Sequence, residues 1–333
     1  VVVLFADGLD EQVRVVARLA DEREHTAVFR VDRNDGAVVV AEGPHRDLLQ
    51  ADVEVQDCYH DKYGRVFKPT EVKMMLAAFS NMETVHIAAY SHLLDTIGMP
   101  ESEYSAFLEY EEMKDKHDYL KVFGVDTDED IARTLAAFGG FTEGMQLFAS
   151  FAMLMNFPRF NKMKGMGQIV SWSVRDESLH FEGIVRLFHE FVRERDCYTK
   201  AVKEDIIDIC QKSVRLEDNF IDLAFEMGPV DGMSPKEIKK YIRYIADWRL
   251  GQLGLQPIYM VDDHPLQYIF VEQGVKRSVY RGFIAAPLQD ITDLLSGERH
   301  LGMLQGIQNI RPVPRFTHAI DRQYCPRIHN ICK

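Results

Sequence analysis

The sequence lacks the features that mark a membrane or secreted protein. No run approaches the roughly 18 consecutive apolar residues that a membrane-spanning helix requires. The apolar opening, Val1–Phe5, is too short for the hydrophobic part of a secretion signal and runs into Asp7 without a basic flank. We therefore expect a cytoplasmic protein with no membrane partner.

Cysteine is scarce, and its spacing excludes two further classes of protein. The five cysteines are odd in number, widely scattered and free of any CxxC pair. A disulfide framework or a thiolate zinc site needs closely spaced cysteines, so the sequence predicts neither. This pattern agrees with a reducing compartment.

Basic residues are too few for a nucleic-acid-binding protein. The chain has 39 Lys and Arg residues against 52 Asp and Glu, which gives a net charge of −13. Such a chain would repel a phosphate backbone, and we expect no nucleic-acid partner.

Helical periodicity, in contrast, is abundant. From about residue 47 to 255, apolar residues recur at helical spacing in long segments separated by short polar joints. Several long helices with short joints predict an all-α bundle. Apart from the segment around residue 50, the expected helices are 71–97, 102–121, 128–157, 166–195, 200–227 and 235–253.

The amino-terminal segment, 1–46, has a different pattern. It predicts a strand at Val1–Phe5, an amphipathic helix at Asp10–Glu24 and a hairpin that turns at Asn34–Gly36. We treat it as a small α/β-like segment of unknown role.

The carboxyl-terminal segment, 266–333, also departs from the helical pattern. It predicts a β-rich stretch at Tyr268–Ala285, a helix near 287–309 and an irregular basic tail. The domain prediction is thus a central bundle over 47–265 with one small segment of unknown role at each end.

Two E-x-x-H pairs are the first sign of chemistry: Glu83 with His86, and Glu177 with His180. Residues three apart on a helix lie on one face, so a carboxylate and an imidazole can bind one cation. The spacing alone is weak evidence for a metal site, because Glu22 and His25 have the same spacing in a charged stretch. The apolar residues that flank Glu83 make that pair more informative.

Single acids precede each pair by about one helix. Glu143 is the only ionisable residue between Phe138 and Phe157, in a segment that is apolar on every side. A buried carboxylate must be neutral, paired or bound to metal. With Asp52, the chain repeats one scheme, a lone carboxylate followed by an E-x-x-H pair. This scheme is the ligand arrangement of ferritin-like di-metal carboxylate bundles.

Charge supports the same interpretation, since four carboxylates and two neutral imidazoles balance two divalent ions. Any one of the six residues could instead be an ordinary buried polar group that is hydrogen-bonded to its neighbours. All six in this order favour a metal site.

Tyr90 lies on the same helical stripe as Glu83 and His86, at seven and four residues from them. Its phenol can therefore lie near the metals. Taken alone, a buried tyrosine usually only packs and finds one hydrogen-bond partner. Beside a di-iron site it becomes a candidate for one-electron oxidation.

These residues closely resemble the radical-generating small subunit of class I ribonucleotide reductase over about 47–265. The matching stretches are Gln50–Glu54, Met82–His86 continuing to Tyr90, Phe141–Glu143, Arg175–His180 and Trp248–Leu250.

The resemblance implies two iron ions, with manganese or a mixed manganese–iron pair as alternatives. The implied ligands are Asp52, Glu83 and His86 for one metal, and Glu143, Glu177 and His180 for the other. Members with a mixed pair generally have Glu at the first ligand position and Phe at the radical position. Asp52 together with Tyr90 therefore resembles the tyrosyl-radical type.

The resemblance also implies roles and partners. Cleavage of O₂ at the metals would generate a stable radical on Tyr90, and Asp176 would hold a metal-bound histidine on the radical-transfer route. The implied partners are a second copy of the chain and a large catalytic subunit that makes deoxyribonucleotides. A solvated helix acid is the alternative for Asp176.

Some family features have no clear counterpart. The first tryptophan is Trp172, which follows the first ligand, and Tyr324 lies in no recognisable acidic tail. We therefore expect weak radical transfer to a large subunit. Two other functions stay open: a di-metal oxidase that acts on a bound small molecule, and a metal-binding bundle without turnover.

Overall fold

The computed structural model describes residues 47–48, 50–97, 110–226 and 230–272, together with the backbone of three strands nearer the amino terminus. The helices in these ranges, numbered along the chain, are α1 (50–66), α2 (Thr70–Ile97), α3 (Glu111–Leu120), α4 (128–156), α5 (Lys164–Arg195), α6 (Lys200–Glu226), α7 (Pro235–Gln252) and α8 (Gln267–Glu272).

Two helices are not α-helical throughout. In α1 the turn Cys58–Tyr63 is π-helical, and in α4 the stretch Ala136–Gln146 is π-helical before α-helix resumes at Phe148–Asn156. A π-helical turn holds an extra residue, and such turns often occur at functional sites.

The predicted helices from 71 to 253 are confirmed in most of their length, and two predictions at their edges are wrong. The helix expected over 102–121 is not continuous: the described part is helical over Glu111–Leu120, and Tyr110 before it has an extended backbone. Residues 98–109 lie outside the described part. The β-rich stretch expected from Tyr268 begins as helix α8, Gln267–Glu272. The helix expected near 287–309 also lies outside the described residues.

The amino-terminal strands form an antiparallel sheet in the order β1 (Val3–Gly8), β2 (Gln12–Arg18) and β3 (Thr26–Asp32). Val3 pairs with Arg18 across the first two strands. The strand predicted at the start of the chain is therefore present over 3–8, but the helix predicted over Asp10–Glu24 is wrong. β2 occupies that stretch and pairs on both sides, which suits its β-branched valines. The turn predicted at Asn34–Gly36 lies outside the described residues.

Local sequence signals begin two of the long helices. Thr127 accepts a hydrogen bond from the Asp130 backbone N–H at 3.1 Å, and the Asp130 carboxylate accepts one from the Thr127 N–H at 3.2 Å. Ser234 and Glu237 form the same reciprocal pair at the start of α7, with Pro235 as its first residue. These capping boxes satisfy backbone donors that the helix leaves free.

Small residues let α4 approach α5 closely. A Cβ atom on Gly139 would lie 2.2 Å from Ile184 Cγ2, and one on Gly144 would lie 2.8 Å from Phe181 Cδ2. Only glycine therefore allows this separation of the two helices. Within the described residues, no helix is both long enough and apolar enough to cross a membrane.

A buried ion cluster ties α3 to Asp47, which precedes α1, and to α6. The Lys116 ammonium donates to Asp47 Oδ1 at 2.5 Å and to Glu217 Oε2 at 3.0 Å, and Ser150 donates to Asp47 Oδ2 at 2.8 Å. All four residues are buried. The ammonium also lies 4.6 Å from the centre of the Phe220 ring. A buried carboxylate is tolerated when it is paired in this way.

We expect Lys116→Met to lower the free energy of unfolding by about 3 kcal/mol or more, because it leaves the buried Asp47 carboxylate without its cation. Chemical denaturation measures this change. Lys114→Met on the same helix is the matched control, since the Lys114 side chain is 61% exposed and its loss should change stability by no more than about 0.5 kcal/mol. Equal effects of the two substitutions would contradict the importance of the cluster.

Glu217 predicts a pH dependence of stability. Burial raises the pKa of Glu217 to about 8, although Lys116 opposes the shift. Between the ordinary pKa of 4.5 and about 8 the unfolded chain releases this proton while the folded chain retains it, so stability falls as pH rises. The slope is at most about 1.4 kcal/mol per pH unit.

Glu217→Gln should lose this dependence. We expect the free energy of unfolding of Glu217→Gln, relative to the wild type, to increase from pH 5 to pH 8 in denaturation experiments. Glu204→Gln removes an exposed carboxyl from the same helix and is the control. Parallel pH profiles for the two variants would show that Glu217 does not hold a proton in the folded chain.

Candidate metal centre

Helices α2 and α5 each present an E-x-x-H pair to the interior of the bundle. Glu83 and His86 on α2 are buried, as are Glu177 and His180 on α5. The three-residue spacing aligns each carboxylate with its imidazole on one helix face. The Phe79 ring packs on His180 with 4.4 Å between ring centres, so apolar surface closes this side.

Helices α1 and α4 supply the single acids. Asp52 lies on α1 and is 2% exposed, while Glu143 lies in the π-helical stretch of α4 and is 1% exposed. All six predicted ligands are therefore buried in four helices, as the repeated sequence scheme predicts.

The first group of converging side chains is Asp52, Glu83, His86 and Glu177. One ligand atom from each lies within 4.8 Å of the others. His86 Nδ1 is 3.3 Å from Glu83 Oε2 and 3.1 Å from Glu177 Oε1. One imidazole nitrogen thus faces two carboxylates.

The second group is Glu83, Glu143, Glu177 and His180, with the same separation limit of 4.8 Å. His180 Nδ1 is 2.8 Å from Glu83 Oε1, 3.4 Å from Glu143 Oε1 and 3.5 Å from Glu177 Oε2. Glu83 and Glu177 belong to both groups, so they lie between the two places where a cation could bind.

The donor atoms of this cluster fit metal ions. Within the described residues, buried side-chain atoms without a hydrogen-bond partner include both oxygens of Glu83, both oxygens of Glu177 and Nδ1 of each histidine. An unsatisfied buried polar atom is costly, and carboxylate oxygens with imidazole nitrogens are ligands that iron and manganese accept. These residues could therefore hold two cations.

The pKa values of these groups are shifted by burial and by the charges of their neighbours. Burial raises the pKa of Asp52 well above its usual value, and the charge of Glu83 adds to the shift. Burial raises the pKa of Glu143 to about 7, against the opposing effect of His180. Burial alone would lower the pKa of His180, but its contacts with Glu143, Glu177 and Glu83 raise it to about 12. Protons on imidazole thus compensate carboxylate charge, and a bound cation would replace them.

Asp176 contacts the first group from its outer side. Its Oδ2 lies 3.5 Å from His86 Nε2, the nitrogen that does not face the carboxylates, and its side chain is 15% exposed. Arg175 Nε donates to the other Asp176 oxygen at 3.0 Å. Asp176 can therefore orient a ligand histidine; its place on a radical-transfer route stays a prediction.

Tyr90 is buried one helical turn beyond His86. Its phenol donates to Ser173 Oγ at 2.7 Å. Ser173 lies one turn before Glu177 on α5, so the hydrogen bond joins the two helices that carry the E-x-x-H pairs. Sequence reasoning identified Tyr90 and missed Ser173, because the spacing pattern of α5 points only to its charged residues.

Two further residues at the site were not predicted. Tyr59 on α1 donates to Glu143 Oε1 at 2.5 Å. Arg249 on α7 is fully buried; its Nε donates to the Gly144 carbonyl at 2.6 Å, and its guanidinium lies 3.7 Å from the Phe181 ring centre. Burial lowers the pKa of Arg249 to about 9. The only sequence signal for Arg249 was its place in a stretch with family resemblance.

The geometry defines a class of protein: a helical bundle that encloses a carboxylate–histidine cluster able to hold two cations. A family model described as "Ribonucleotide reductase, small chain" matches residues 46–265. The chain belongs to this family, a family of oxidoreductases. The resemblance predicted from the sequence is therefore confirmed.

A relative from Invertebrate iridescent virus 6, named as a probable ribonucleoside-diphosphate reductase small subunit (376L), is 42% identical over 256 residues. The aligned region covers 66% of this chain and 71% of that relative. The chain spans less than two thirds of the length of other curated relatives, 64% of one and 58% of another.

Solved structures confirm the ferritin-like fold. A ribonucleotide reductase R2 subunit from Clostridium botulinum has a TM-score of 0.65 at 21% identity and covers 72% of this chain and 78% of its own. The dimanganese(II)-NrdF of Streptococcus sanguinis has a TM-score of 0.62 at 18% identity, covering 73% of this chain and 84% of its own.

We expect the purified chain to bind two Fe²⁺ ions under anaerobic conditions and to melt at a higher temperature when loaded, because binding to the folded state alone stabilises it. Asp52→Ala and Glu143→Ala should each lose one ion, since each residue belongs to one group. Glu177→Ala should lose both.

Metal analysis after gel filtration measures these stoichiometries. Glu182→Ala is the matched control, because Glu182 is exposed on the same helix as Glu177. Two ions retained in Glu177→Ala would contradict a shared position between the two groups.

Proposed function

We propose that the chain is the radical-generating small subunit of a ribonucleoside-diphosphate reductase. Its two cations would be iron, with manganese or a mixed manganese–iron pair as alternatives. The observation that carries this proposal is the convergence of six buried ligands, drawn from four helices, beside a buried tyrosine on one of the ligand helices. Family membership supports it.

The ligands divide into two sets around shared carboxylates. Asp52 and His86 would bind one cation, Glu143 and His180 the other, and Glu83 and Glu177 would contact both. With O₂, the metal pair would supply the oxidising equivalent. All six side chains are buried, so little solvent would compete with the carboxylates for the cations.

Tyr90 would carry the oxidising equivalent after the metals react. Burial raises the pKa of its phenol far above the usual value, so the side chain remains neutral before oxidation. Loss of one electron must therefore be accompanied by loss of the phenolic proton. The Ser173 hydroxyl accepts the hydrogen bond from this proton and is the first group on its way out.

The partners follow from this function. We propose that two copies of the chain associate and that the radical is used by a separate large subunit to reduce ribonucleotides. The name of the viral relative supports the pairing with a large subunit, since it is a reductase small subunit. The radical-transfer route and the role of Asp176 belong to the same proposal.

Tyr90→Phe tests the radical directly. We expect this variant to bind two ions like the wild type but to give no stable radical signal in electron paramagnetic resonance after anaerobic iron loading and exposure to O₂. The ring volume is conserved and one hydroxyl is lost; loss of its hydrogen bond to Ser173 costs about 1 kcal/mol of stability.

Tyr63→Phe is the control for this experiment. Tyr63 is also fully buried, and its phenol donates to the backbone carbonyl of Thr134 at 3.1 Å instead of to a candidate ligand. An undiminished radical signal in Tyr90→Phe would show that a different residue carries the oxidising equivalent.

A further inference from the structure

A second buried tyrosine, on α1, contacts the cluster of candidate ligands. Tyr59 lies in the π-helical turn of α1 and is 3% exposed. Its phenol donates to Glu143 Oε1 at 2.5 Å. Its ring meets the His180 imidazole edge to face, with 6.4 Å between ring centres. Tyr59 therefore contacts two members of the second group while it supplies no ligand atom to either group.

The hydrogen bond from Tyr59 gives the two carboxylate oxygens of Glu143 different surroundings. Oε1 accepts from Tyr59 and lies 3.4 Å from His180 Nδ1. Oε2 is buried and has no hydrogen-bond partner among the described residues. A carboxylate held by one oxygen cannot rotate freely, so the other oxygen keeps a fixed direction.

The backbone of α1 explains why Tyr59 reaches this position. Seven residues make about two turns of helix, so side chains at this spacing lie on one side of it. Asp52 and Tyr59 have this spacing and face the cluster together. One helix thus contacts the first group through a carboxylate and the second group through a phenol.

We infer that Tyr59 is a positioning residue for the second cation: it holds Glu143 by Oε1 so that Oε2 is available as a ligand. This inference rests on the proposed metal centre. Tyr59 acts through Glu143, so its effect should be confined to the second group, in which Glu143 takes part and Asp52 does not.

The test is a titration of the metal-free chain with Mn²⁺, with free Mn²⁺ counted by electron paramagnetic resonance. We expect the wild type to bind two ions. In Tyr59→Phe the first ion should bind with unchanged affinity and the second about 10- to 100-fold more weakly, the range found when an outer partner of a ligand is removed.

Tyr63→Phe is again the matched control. It removes a buried phenol from the same helix, four residues later, whose hydrogen bond goes to a backbone carbonyl. Both ions should bind this variant as they bind the wild type. If loss of a phenol merely loosened α1, the binding of both ions would be weaker, and Tyr59→Phe and Tyr63→Phe would both show this loss.

A double-substitution cycle isolates the pathway through Glu143. If Tyr59 acts only through that carboxylate, Tyr59→Phe should leave unchanged the affinity for the one Mn²⁺ ion that the Glu143→Ala variant retains. A loss of affinity for that ion would overturn the inference, as would wild-type binding of both ions by Tyr59→Phe. Fewer than two ions bound by the wild type would instead overturn the proposed metal centre itself.

Discussion

Four carboxylates packed into two overlapping groups inside a helical bundle cannot all carry charge unless cations lie among them. The low polarity of the interior removes the water that would otherwise solvate them, and their mutual repulsion adds to the cost. The surrounding helices nevertheless hold these carboxylates close together. The close contact of α4 with α5, the capping boxes and the buried ion cluster around Lys116 all stabilise that arrangement.

The candidate ligands could be predicted because the sequence isolates them. Glu143 is the single ionisable residue in a long apolar stretch, and a helix with no polar face must be buried. The E-x-x-H pairs have a spacing that acts within one helix, so no knowledge of tertiary structure is needed to place carboxylate and imidazole on one face. Position along the chain then suggested four helices that meet at one point.

Other features depend on contacts between distant segments, which periodicity does not reveal. Tyr59 reaches Glu143 across 84 residues of chain, and Tyr90 reaches Ser173 across 83. Lys116 reads in the sequence as one charge among many on a polar helix, yet it is buried against acids from two other helices. The sequence predicts an amphipathic helix over the segment that contains β2, whereas pairing with two neighbouring strands decides its structure.

Arg249 places a positive charge close to the cluster of candidate ligands. It is a fully buried cation that contacts the residues directly after Glu143 and His180, and within the described residues its Nη2 has no hydrogen-bond partner. A fixed positive charge in a medium of low polarity stabilises whichever state of a nearby centre carries less positive charge. If the cluster holds the redox-active cations proposed above, the Arg249 guanidinium would therefore raise their reduction potential.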